Sequence, residues 1–244
     1  MDNLQKNFAT YAIYFEDLRR RIFLLIKIFI VVFAFGFFAT PPAIKFILNY
    51  LNTDDITITT TSPFQLINLA MSIGFFFACA VIVPILVFHL YSFFKPGLLR
   101  KERRIFFLSL PISFGLFILG FSYSAGMLYY AIQFIAKVNI SLGIVNYWDI
   151  SLFISEIVMT SSLLGLLFIF PLFTTILIRL GLLSVDFLKS KRRHAVAIIF
   201  IIVSLLPPTD GISLILMAAP LMLMFELTIL FNRNKHQGRN LILT

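Results

Sequence analysis

YSFFKPGLLRKERRIFF, residues 91–107, joins two long apolar runs through a short basic stretch. Lys95, Arg100, Lys101, Arg103 and Arg104 surround a single acid, Glu102. The runs on either side extend over about Phe64–Phe94 and Ile105–Ile132. Crossing a bilayer takes roughly 20 apolar residues at 1.5 Å each, so each run is long enough to cross. The stretch therefore reads as a loop between two membrane spans. Its cations have a topological meaning, because short Lys/Arg-rich loops stay on the inner side.

Four more apolar runs lie outward of these two, at about Ile22–Ala39, Ile157–Ile178, Ala195–Leu206 and Ile212–Phe231. The Ala195–Leu206 run has only 12 residues before Pro207, about 18 Å of helix. It is too short to cross alone and needs shielding by neighbours or a locally thinned bilayer. Composition agrees with this reading: 60% of residues are hydrophobic, 13% are charged, and the mean hydropathy is +0.98. A water-soluble domain carries about a quarter charged residues. The expected class is all-α: a polytopic membrane protein of six helices in a bent bundle, with residues 1–244 forming one membrane domain.

The net charge of +9 could suggest a nucleic-acid partner, but its distribution does not. Lys6, Arg19, Arg20 and Arg21 precede the first run, and five cations fill the quoted loop. Arg179, Lys189, Lys191, Arg192 and Arg193 fill the fourth loop, and Arg233, Lys235 and Arg239 the C-terminal tail. Against these seventeen, the alternate loops hold only Lys45 and Lys137, with Lys27 inside the first run. The alternation places both termini inside, with inner segments at 1–21 and 232–244. No small-residue cleavage site follows the first apolar run, and Asp2, Glu16 and Asp17 depart from a transit peptide, so the N-terminus reads as neither leader type.

The two outer loops are richer. Ile44–Leu51 is amphipathic enough to lie at the interface, and the Thr-rich stretch after it suits extended backbone. Tyr147 and Trp148 form an interfacial aromatic pair. Pro84, Pro111, Pro171 and Pro220 fall inside spans, where each removes a helix hydrogen bond and can bend the helix.

Few residues suggest catalysis. Cys79 is the sole cysteine, and His89, His194 and His236 share no metal-ligand spacing. HExxH and GxSxG patterns are absent. The chain is expected to be no enzyme and to need no cofactor or metal. A small-solute transporter or channel is the alternative, but internal repeats and midplane polar residues are missing.

The acids remain to be explained, since acids contribute little to topology. Asp17 and Glu102 each stand just before an apolar run on the inner side. A first-turn acid is favoured by the helix dipole by about 0.3–1 kcal/mol, and an exposed ion pair adds about 0–1 kcal/mol. Alternatively, a carboxylate grips a guanidinium bidentately, as a receptor for a cationic ligand would. Glu226, inside the last run, is open to the same two readings, structural pairing or function. In LLPPTDGIS, Pro207, Pro208, Asp210 and Gly211 form a tight turn with Asp as a helix cap.

Taken together, FEDLRRRI, FFKPGLLRKERR, GLLFIFP and KRRHAVAIIFIIVSLLPPTDGISLILMAAPLMLMFE, in that order and spacing, resemble the TatC family, the signal-peptide receptor of the twin-arginine translocase. The resemblance runs from about Tyr14 to Phe231. It implies a cupped bundle with short fifth and sixth helices, exporting folded proteins across an energised membrane. It also implies that signal-peptide contacts fall on Asp17 (with Glu16 beside it), Arg19, Arg21, Pro96, Gly97, Leu98, Glu102 and Arg103. Pro84, Pro171, Pro207, Pro208, Asp210 and Glu226 match structural or functional positions of the family. The implied partners are twin-arginine signal peptides, single-span Tat subunits of the TatA/TatB type, further copies of the chain, and the lipid bilayer.

Two departures stand out. Asp17 fills a position where the family usually has Glu, leaving Glu16 and Asp17 as alternatives. Ile169, in FIFP, replaces a buried Glu or Gln that relatives turn toward single-span partners. Phenylalanine (30) outnumbers alanine (15), a bias of AT-rich genes that favours a mitochondrial inner membrane, with a bacterial plasma membrane or plastid membrane as alternatives.

Overall fold

Inside a bilayer there is no water for backbone groups, so an apolar run closes its hydrogen bonds within a helix. The computed structural model describes residues 2–42, 44, 46, 57–59, 62, 64–94, 100–145, 147–179, 181–207 and 211–233. Side chains are described at these positions except 2–15, 18, 57–59, 91, 93, 94, 100–107, 147, 148 and 150. The elements in order are α1 (Asp2–Phe38), β1 (Thr57–Thr59), α2 (Gln65–Phe94), α3 (Arg100–Ser141), β2 (Tyr147–Asp149) and α4 (Ile150–Leu167). Then come α5 (Phe170–Arg179), α6 (Val185–Ser190), α7 (Arg192–Ser204) and α8 (Gly211–Arg233).

Among the described residues, five helical stretches are long and apolar enough to cross a membrane: Arg19–Phe38, Gln65–Leu90, Leu108–Ser141, Ser151–Arg179 and Gly211–Arg233. The chain is a multi-pass, nearly all-helical membrane protein. As expected, α7 is short: its 13 residues give about 20 Å of helix. The 23 residues of α8 make it shorter than α1, α2 or α3, yet it is long enough to cross. The shortness expected of the sixth helix is thus only relative.

Element limits follow local chemistry. α4 starts ahead of its apolar run because Asp149 caps it, its Oδ1 accepting from the amides of Ser151 at 3.0 Å and Leu152 at 3.2 Å. The fourth span breaks between Leu167 and Phe170. Pro171 has no N–H to give the Leu167 carbonyl, and Ile169 donates instead to Leu166 O at 3.2 Å, a tightened turn. Gly181, at φ +74°, turns the chain after α5 where a side chain would be strained. Residues 2–21 are helical and continue into the first apolar run without a break, α1 running from Asp2 to Phe38.

One feature departs from an all-α chain. β1 and β2 pair in parallel, Thr57 opposite Tyr147, Ile58 opposite Trp148 and Thr59 opposite Asp149. The Thr-rich stretch is extended, as its β-branched residues suggest. Its partner is the segment read only as interfacial aromatics.

α1 packs chiefly on α2, and α4 packs on both α2 and α3. Where α1 meets α2, Gly36 faces Gly74 so closely that a Cβ added at Gly36 would stand 2.9 Å from the Gly74 Cα. Bare backbones allow this approach, as in small-residue contacts between membrane helices. α7 folds back against α4 and α8: Val203 and Leu206 join Leu128, Leu164, Phe168, Met217 and Leu221 in one buried cluster. Thr160 Oγ1 donates to the Pro207 carbonyl at 2.8 Å, fastening the end of the α7 hairpin to α4.

Candidate functional site

Near its polar start α1 places Glu16, Asp17, Arg19 and Arg21 within little more than one turn. Residues four apart share a helix face, and Arg21 Nε donates to Asp17 Oδ2 at 2.9 Å. The same guanidinium reaches across to α2, Arg21 Nη1 donating to the His89 carbonyl at 3.1 Å. His89 Nδ1 donates in turn to Ile85 O at 2.9 Å. Arg21 thus holds the acid in place and fastens the start of the first span to the end of the second.

Asp17 keeps one carboxylate oxygen free of protein partners among the described residues, with its side chain 45% exposed. Glu16 is exposed and has no ion-pair partner among the described residues. Arg19 turns the other way, its guanidinium carbon 5.5 Å from the centre of the Phe23 ring, a cation–π contact. The four positions therefore differ: Arg21 is a structural clamp, Asp17 a half-used carboxylate, Glu16 a free one, and Arg19 a cation on an aromatic face. Chemically, the cluster can accept a further guanidinium at Asp17 and Glu16.

Other expected site residues fall elsewhere. Glu102 and Arg103 lie in the first turn of α3, but their side chains are outside the described residues. Pro96, Gly97, Leu98, Pro208 and Asp210 are outside them as well. Pro207 is partly buried and Pro84 lies inside α2. Glu226 Oε2 accepts from Arg192 Nη2 at 2.9 Å, with both side chains about half exposed. Ile169 packs against the buried cluster of Cys79, Val83 and Phe117, leaving it partly buried rather than free on the bundle surface.

Sequence reasoning missed several supports. His89 was weighed only as a metal ligand, whereas its backbone carbonyl does the work. Asn232 Nδ2 donates to Thr175 Oγ1 at 3.1 Å, joining α8 to α5. The glycine crossing of α1 and α2 had a signal, a lone glycine in each of two neighbouring apolar runs.

A family model described as Sec-independent protein translocase protein (TatC) matches residues 14–220. The chain is 28% identical over 214 residues to Sec-independent protein translocase protein TatC of Halalkalibacterium halodurans, covering 87% of this chain and 85% of the relative. It is 26% identical over 237 residues to protein TatCy of Bacillus subtilis, covering 96% and 92%. Among solved structures, it is similar to the twin arginine translocase receptor TatC, with TM-score 0.74, 25% identity, and coverage of 90% of this chain and 98% of that one. A crystal structure of the receptor in the detergent DDM has TM-score 0.77, at 23% identity and coverage of 89% and 98%.

Proposed function

Because the chain belongs to the TatC family of Sec-independent protein translocases, we propose that Asp17 and Glu102, with Glu16 beside them, receive the paired arginines of a signal peptide. The chain is the receptor subunit of a twin-arginine translocase, a transport role and not a catalytic one. The observation that carries the site assignment is the half-used carboxylate of Asp17, one oxygen held by Arg21 and the other without a protein partner among the described residues. Such a group is oriented before the ligand arrives, which lowers the ordering cost of binding. Glu102 opens α3 among cations that repel generic basic peptides, so a ligand must satisfy the acids to stay. Arg19 and Arg103 are next in sequence to the acids or two positions away, and Pro96, Gly97 and Leu98 precede α3 in the chain and complete the proposed contact set.

Both termini lie on the inner side in this reading. Supporting it, Arg21 with His89, Arg192 with Glu226 and Asn232 with Thr175 each join residues that the charge pattern assigns to one side. Residues 1–244 act as one membrane domain, and copies of the chain work with single-span Tat subunits, with the partly buried Ile169 at the position where relatives turn a polar group toward such a partner. The membrane is an energised inner membrane. The relatives described above are bacterial, which favours a plasma membrane; the mitochondrial alternative rests on the phenylalanine-rich composition alone.

The test compares binding of a twin-arginine signal peptide and its twin-lysine form to the purified chain. One lost charge-assisted contact costs about 1.5–3 kcal/mol, roughly 10- to 150-fold in affinity. Asp17→Asn and Glu102→Gln should each weaken the arginine form by that factor and shrink its advantage over the lysine form. Asp186→Asn, an exposed acid on α6 already paired with Lys189, should change neither. An unchanged preference in both acid variants would reject the assignment.

A further inference from the structure

A cavity of about 440 Å³ lies between α5, α6, α7 and α8. Its walls are almost wholly apolar: Ala195, Ile198 and Ile202 from one face of α7, Pro171 from α5, Leu188 from α6 and Met224 from α8. A buried water needs two to four polar partners, and away from Lys191 and His194 at one end the lining side chains are all apolar. The volume lies within the roughly 300–1,000 Å³ range of small-ligand sites.

Among the described residues, the only ionisable side chains lining it are Lys191 and His194, three apart at the start of α7 and therefore on one face. Neither has an ion-pair partner among the described residues, and neither does the adjacent Arg193. The acids facing this corner are already engaged, Asp186 by Lys189 and Glu226 by Arg192. An apolar chamber thus opens beside uncompensated positive charge.

We propose that this cavity holds one acyl chain of an anionic phospholipid, with the headgroup phosphate against Lys191 and His194. Lipid tails are as apolar as the cavity wall, so the tail alone gives little preference over the surrounding bilayer. Selection comes from the headgroup, since basic pockets between membrane helices on the inner side attract anionic lipids. The bound chain would fill the gap beside α7, the helix too short to span, and couple it to α5 and α6. This inference stands whether or not signal peptides bind at Asp17.

The full chain, purified and stripped of lipid, is offered phosphatidylglycerol or phosphatidylcholine with identical acyl chains, and retention is read by native mass spectrometry. The unaltered protein retains phosphatidylglycerol preferentially. Lys191→Gln with His194→Gln lowers that retention about fivefold, the worth of one basic residue near an anionic surface. Lys137→Gln, near the far end of α3 and outside the cavity lining, leaves it unchanged. Ile198→Trp, which fills the chamber, lowers retention of both lipids. Equal retention of the two lipids by the unaltered protein would overturn the proposal without any variant. So would a photo-crosslinker at Ile198 that, in native membranes, captures a partner helix and no lipid.

Discussion

Gly74→Ala probes the crossing that carries α1. A Cβ at this position would stand 2.8 Å from the Phe33 carbonyl oxygen and 3.3 Å from the Phe37 amide nitrogen. Ordinary contact begins at 3.4 Å, and 3.4 Å less 2.8 Å leaves about 0.6 Å for the structure to give. Both obstacles are backbone, so no rotamer change relieves them, and α1 itself must shift. Overpacking of this kind costs about 1–3 kcal/mol. Alanine also gains about 1 kcal/mol over glycine in helix propensity, which would hide part of the loss. Gly115→Ala supplies the reference, because Gly115 sits in α3 with nothing within 4 Å of an added Cβ. Both variants receive the same propensity gain, so their difference isolates the clash. Denaturant unfolding in one detergent, followed by circular dichroism, should place Gly74→Ala about 1–3 kcal/mol below Gly115→Ala. Equal stability would mean that the helices do not rely on a bare crossing, and the account of how α1 is held would fail.

Three further outcomes are expected. Cysteines placed at Asn3 and at Asn240 should resist an impermeant thiol reagent added to the outer face of intact membranes; labelling of either breaks the proposed topology. Ile169→Glu should strengthen crosslinking to a single-span Tat subunit while destabilising the chain, since an acid at that depth costs roughly 2.5–3.5 kcal/mol on insertion scales; unchanged crosslinking would make Ile169 a packing residue only. A double-mutant cycle of Arg192→Gln and Glu226→Gln should give a coupling of about 0–1 kcal/mol, as for other half-exposed pairs; a coupling several times larger would mean that the pair is more buried in the working membrane than in the isolated chain.

The helical, multi-pass character of the chain could be read from the sequence because the bilayer permits little else for an apolar run, whereas of the six expected spans five appear as helices long and apolar enough to cross among the described residues. The short α7 was legible for the same reason, with Pro207 cutting its run. What escaped depends on contacts between distant residues. The β1–β2 pair joins segments that carry no mutual signal beyond β-branched and aromatic composition. The break before Pro171 follows from a missing N–H, though the residue at which the helix yields is set by packing of Phe168 and Ile169. At the site, the acids were visible as charges that topology leaves unexplained. The division of labour between Asp17 and Arg21 was not, because the His89 carbonyl that fixes Arg21 has no side-chain signature.

The strand pair bears on the order in which the molecule assembles. Tyr147 lies 90 positions after Thr57, with all of α2 and α3 between them. A ribosome releases the N-terminal partner first, so Thr57–Thr59 must remain unpaired until two long helices have been inserted and the chain has returned to the same face. Closing so large a loop is entropically slow, and the strands can meet only if both helices cross with the correct orientation. Asp149, the last residue of the pair, also caps α4, so the event that ties the first half together coincides with the start of the next helix. The strand pair is therefore a late contact in assembly, one that follows the insertion of both long helices rather than guiding it.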